Sequence, residues 1–170
     1  MSDRGRAAGV ATLRAALAAA LVLAAAAPAR SQDAGATPPM DAIFARKTLM
    51  NAIDMNMEEL ETMLAPSGRV DAGEAREHAD TISIMLMAFP HLFPAGTNLW
   101  KPNVDRDPAT DTYASPELWA NFADFYRRAT EASKLAGDAS RAERGEQFRA
   151  LIAQLRVACN SCHAAYQKTD

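Results

Sequence analysis

From Asp41 to the end of the chain, apolar residues return every three or four positions and no stretch alternates, a period that admits helices and disfavours strands. The first stripe, over about Pro39 to Leu64, runs through Ile43, Met50, Ile53, Met57, Leu60 and Leu64 until Pro66-Ser67-Gly68 interrupts it. Asp71 and Glu74 have the spacing of a capping box. A second helix is expected from there, with Ala75, His78, Ile82, Met85, Leu86 and Phe89 inward and an end near Pro90. Ser115-Pro116 marks a third start, with proline at the first helical position. Leu118, Phe122, Phe125 and Ala129 share the inner face of that helix, Trp119 and Tyr126 flank it, and Gly137 is expected to close it after Ala136. A fourth helix, over about Arg141 to Lys168, is expected to bury Phe148, Leu151, Ile152, Leu155, Cys159 and Cys162. The connection from His91 to about Thr112 is long, and such loops in small domains are usually functional or well packed. Together these signals predict an all-α protein, an antiparallel up-down-up-down four-helix bundle.

The start of the chain follows a different pattern. Arg4, Arg6 and Arg14 precede an apolar run from Ala15 to Ala27, and small residues follow around Ala29 and Ser31. Residues 1–31 therefore read as a signal peptide that is cleaved on export, since the run is short of the roughly 20 apolar residues a bilayer span needs. Residues 32–40 read as a flexible leader and 41–170 as the folded domain, an exported product in the periplasm with no membrane span of its own. Cleavage after Ala29 would remove Arg4, Arg6, Arg14 and Asp3 from 18 basic and 21 acidic residues and leave a net charge of about −5. No basic patch remains to grip a nucleic acid.

The two cysteines of the chain lie in Cys159-Asn160-Ser161-Cys162-His163. C-x-x-C-H is the attachment signature of c-type haem. On a helix, residues three apart share a face, so both thiols can bond along one side of a porphyrin while His163 reaches the iron as proximal ligand. A lone disulfide leaves His163 unexplained. A thioredoxin-like pair needs a preceding strand, and a structural zinc site needs a fourth ligand. One covalent haem c per chain is the expectation. No nucleophile or acid–base pair suggests an enzyme.

At this point the chain resembles the cytochrome c-prime family, the class II c-type cytochromes, over essentially its whole mature length. The resemblance rests on Arg46, Met50 and Met57 in the first helix, on Leu92-Phe93-Pro94-Ala95-Gly96-Thr97, on Pro116-Glu117-Leu118-Trp119, and on the pentapeptide followed by Tyr166. It implies a four-helix bundle, commonly dimerising through its first two helices. High-spin members leave the distal iron position open, and some bind nitric oxide or carbon monoxide there. Low-spin members, the cytochrome c-556 type, put a methionine on the iron and carry electrons between periplasmic redox partners. One position departs from the family: four residues after the haem histidine, where a basic residue is usual, stands Gln167.

Antiparallel packing of the first and fourth helices brings His163 level with the early part of helix one. Met50 lies within about 15 Å of its start, and Met57 about 10 Å deeper. The resemblance puts Met50 at the distal position itself. We therefore expect His163 and Met50 as axial ligands of an electron carrier, Arg46 beside a haem propionate, and Trp119, Phe122 and Phe125 excluding water. The alternative is a five-coordinate gas-binding protein with Met50 as packing. His91 ranks behind Met50 as a distal ligand, and His78 has no assigned role.

Overall fold

Proline at a helix start costs no hydrogen bond, because the first-turn amides have no partner within the helix. The first helix of the computed structural model uses that freedom: α1 spans Pro39–Leu64 and stops at Ala65, whose backbone turns extended just before Pro66. The structure describes residues 38–168. The expected signal peptide and most of the expected leader lie outside the described residues, whereas Pro39 and Met40 already belong to the first turn of α1. The chain then folds back tightly, with the Gly68 amide donating to the Ala65 carbonyl at 2.8 Å. A side chain at Gly68 would collide with the Thr62 and Met63 carbonyls.

The expected cap at Asp71 is present. Its Oδ1 accepts from the Gly73 and Glu74 amides at 2.8 and 3.1 Å and opens α2, Ala72–Ala88. Two 3-10 turns, Phe89–Leu92 and Ala95–Thr97, carry the chain into the long loop. The third helix differs from expectation in two ways. It is broken into α3, Pro116–Ala120, and α4, Phe122–Ser140, by Asn121 at φ −122°, ψ 38°. It also runs past Gly137, which is buried where α4 crosses α2 beside the Ser83 hydroxyl and is no terminator. The last helix, α5, spans Gly145–Tyr166. Its end is pinned by backbone bonds from Ser115 to Tyr166 and from Lys168 to Tyr113, at 2.9 and 2.8 Å.

Helices α1 and α2, α2 and α4, and α4 and α5 pack closely in sequence order, as the bundle reading requires. Small residues permit this where α2 meets α4: Ala79, Ala136 and Ala139 are fully buried, and Ser83 and Ser133 exchange hydroxyl-to-carbonyl bonds at 2.9 and 2.8 Å. The remaining side of the square, α1 against α5, does not close in the same way. Away from the C-terminal end of α5, Leu60, Ile152 and Leu155 fill the space between the helices. Toward that end the two backbones flank a cavity.

Candidate functional site

Every fourth or third residue of one α1 face, Arg46, Met50, Ile53 and Met57, lines that cavity, and so do Cys159, Cys162 and His163 of α5. The space measures about 480 Å³, within the range of cofactor pockets. Phe89 from the first 3-10 turn, Phe93 just after it, Leu118 of α3 and Phe125 of α4 complete an apolar wall. Phe125 and Phe93 meet edge to face at 4.8 Å, Phe125 and Tyr166 at 5.6 Å. Such offset ring pairs give a stiff lining.

The pentapeptide lies wholly within α5, so Cys159 and Cys162 share a helix face, and the two thiols are not joined to each other. Cys159 packs against the aliphatic core and Cys162 against the aromatic one. Burial raises both thiol pKa values, that of Cys162 to about 11. Thiols that work in redox exchange are shifted the other way, toward thiolate. His163 is exposed at the edge of the cavity it lines; desolvation lowers its pKa against the opposing charge of Asp54, a shift in the direction of the neutral imidazole that binds iron. Among the described residues no three His, Cys, Asp or Glu side chains converge as a metal site of their own.

Arg46 is more deeply buried than its sequence position suggested, 4% exposed. Nη1 donates to Thr97 Oγ1 at 2.9 Å, and Nη2 donates to the Thr97 carbonyl at 3.3 Å and to Thr112 Oγ1. The guanidinium also stacks 4.8 Å from the Phe93 ring. Burial alone lowers its pKa to about 10, with no carboxylate offsetting the cost. A buried cation held only by neutral acceptors at a cavity wall is a fitting neighbour for an anionic group.

The other expected residues separate clearly. Phe125 lines the cavity. Trp119 packs behind it and donates Nε1 to the Phe93 carbonyl at 3.2 Å. Phe122 is 38% exposed, because the break at Asn121 shifts the register of α4 against α3. His91 is exposed, edge-on to Tyr126, and away from the cavity lining. His78 is half-buried with Nδ1 2.8 Å from Asn56 Oδ1.

One group of residues escaped the sequence reading. Asp124 and Arg128 of α4 interlock with Ser161 and Tyr166 of α5: the Tyr166 hydroxyl and Arg128 Nε donate to Asp124 Oδ2, each at 2.6 Å, and Arg128 Nη1 donates to Ser161 Oγ at 2.8 Å. Tyr166, Arg128 and Arg127 hold the Asp124 carboxyl well below the usual carboxylate range. The available signal was the four-residue spacing of Asp124 and Arg128, which reads equally well as a solvated helix pair.

Fold and site together define a helical bundle with a cavity bordered by a haem-attachment sequence. The family model described as Cytochrome C' matches residues 41–167. A cytochrome c-556 of Agrobacterium tumefaciens (strain B2A) is 28% identical over 124 residues, 72% of this chain and 93% of that protein. A cytochrome c-554 of Cereibacter sphaeroides is 28% identical over 147 residues, 84% of this chain and 90% of that one. In structure the chain is similar to a cytochrome c prime from Shewanella frigidimarina, with a TM-score of 0.66 at 24% identity over 79% of this chain and 99% of the other. The chain belongs to the cytochrome c' family. Members are non-enzymatic haem proteins that bind one haem c covalently through a C-x-x-C-H near the C-terminus, and haem c is the cofactor here. Among the described residues no helix is long and apolar enough to cross a membrane.

Proposed function

We propose that this protein is a periplasmic electron carrier, exported by residues 1–31, whose haem iron is held by His163 and Met50. Cys159 and Cys162 are the covalent anchors, and Arg46 faces a haem propionate. The observation that carries the reading is the shared cavity. Met50 of α1 and His163 of α5 line it together, while His91 lies elsewhere on the surface. A thioether opposite an imidazole raises the reduction potential and fills the sixth position. The cofactor supplies the one-electron chemistry. The chain's part is to hold it, to exclude water with Phe89, Phe93, Leu118 and Phe125, and to set a buried positive charge at Arg46. The naming of two curated relatives as cytochromes c-556 and c-554 accords with this reading.

Exposed apolar residues on α1 (Phe44 at 68%, Met55 at 59%) and α2 (Ile84 at 60%, Met87 at 64%) support a homodimer through those two helices. Redox partners are periplasmic proteins that reach the haem. Carbon monoxide added to the reduced holoprotein tests the ligation. Slow, weak binding in the wild type that becomes fast in Met50→Ala supports the carrier. Fast binding in both makes Met50 packing and the protein a five-coordinate gas binder.

A further inference from the structure

Ser161 stands between the two cysteines and Tyr166 stands one turn beyond His163, so the pair brackets the histidine along α5. Both ends of this turn are tied to α4 by one continuous network. Arg128 uses two sides of its guanidinium, Nε on Asp124 and Nη1 on Ser161, while the other arm is the Tyr166 hydroxyl on the same Asp124 oxygen. Arg127 holds the second Asp124 oxygen. Arg128 also borders the cavity beside Cys162, and its guanidinium lies 6.0 Å from the Tyr166 ring.

We propose that Asp124 and Arg128 are positioning residues that clamp the 161–166 turn and thereby fix the orientation of the His163 imidazole. Half-exposed polar bonds of this kind add little to stability. Their effect here is geometric, because rotation of the last turn of α5 would swing the imidazole plane, and bonds at both ends oppose it. Orientation and outer hydrogen bonding of an axial histidine tune the iron it holds. The planar fork of arginine is needed, since a lysine ammonium is a point donor that lacks a second rigid face.

The inference rests on His163 being an axial ligand, and the experiment separates the two. Ser161→Ala, Tyr166→Phe, Arg128→Gln and Arg128→Lys holoproteins would be compared with wild type by pyridine haemochrome, by proton NMR of the ferric haem methyl groups, whose spread depends on the axial imidazole plane, and by thermal melting. Absence of covalent haem in the wild type defeats the ligand assignment and the clamp with it. With haem present, we expect a shifted methyl spread in Ser161→Ala and Tyr166→Phe, a larger shift in Arg128→Gln, and no rescue by Arg128→Lys, with little change in melting. An unchanged spread in all four variants, or full rescue by lysine, overturns the clamp while leaving His163 as ligand.

Discussion

Leu60, Ala79, Ile82, Ala136 and Leu155 are wholly buried away from the cavity, in a core of aliphatic side chains and alanines. Phe89, Phe93, Phe125 and Tyr166 pack edge to face around it, laced with polar groups that reach across elements: Arg46 to Thr97 and Thr112, Tyr166 to Asp124, Trp119 to the Phe93 carbonyl. The first region holds three helix pairs at close range, and the second keeps two helices apart. Cys159 packs on the aliphatic region and Cys162 on the aromatic one, so the haem-binding turn spans the seam. The contrast teaches a division of work. Close aliphatic packing is where stability comes from, at about 1.5–3 kcal/mol for each large side chain buried. The aromatic end is spent on shape and orientation.

The largest test of this division is truncation in the aliphatic region. Leu155→Ala is expected to lower stability by about 2–5 kcal/mol in denaturant titration, with the holoprotein absorption spectrum unchanged. A spectral change of the kind expected from the aromatic end would mean that the two regions are not separate. A smaller effect comes from Asp124. Its folded pKa is depressed by Tyr166, Arg128 and Arg127, so it contributes a small, solvent-screened stability above the unfolded carboxylate pKa of about 3.9. That contribution is lost as pH falls toward the folded value, where the unfolded state binds the proton first. The stability gap between wild type and Asp124→Asn is thus full at neutral pH and narrows below pH ~4. A gap that stays constant through this range would remove the carboxylate network from the account.

The smallest effect sharpens the alanine-lined interface. Alanine in place of a helical glycine gains about 1 kcal/mol in propensity, yet a Cβ at Gly137 would lie 3.0 Å from Ser83 Oγ, which is engaged with Ser133. Gly137→Ala alone is expected to be near neutral by thermal melting. In a Ser83→Ala background it becomes stabilising by up to about 1 kcal/mol. Equal gains in both backgrounds would show that the α2–α4 approach is looser than described.

Much of the fold was legible because helical stripes and their breakers are local. Pro39, the Asp71 cap and Pro116 mark starts by rules that act within one turn. The pentapeptide was legible because two thiols and an imidazole at that spacing serve one chemistry. What was hidden depends on residues far apart in the chain. Gly137 reads as a stop unless Ser83, 54 positions earlier, is known to need the space. Asn121 breaks the third helix with no proline or glycine to announce it, and this exposes Phe122. Arg46 resembles a surface charge until the long loop returns Thr97 and Thr112 to it. The clamp of Asp124 and Arg128 needs α5 alongside before it means anything.

In the proposed reading the cavity between α1 and α5 holds a haem whose distal ligand is Met50, and both Met50 and Met57 border that cavity. The most direct test is the ferric absorption spectrum of wild type, Met50→Ala and Met57→Ala, read at the weak far-red band that marks sulfur bound to iron. The account predicts the band in wild type and in Met57→Ala, the latter with reduced stability, and its loss in Met50→Ala. A wild type without the band, or a band that survives Met50→Ala and disappears in Met57→Ala, would contradict it.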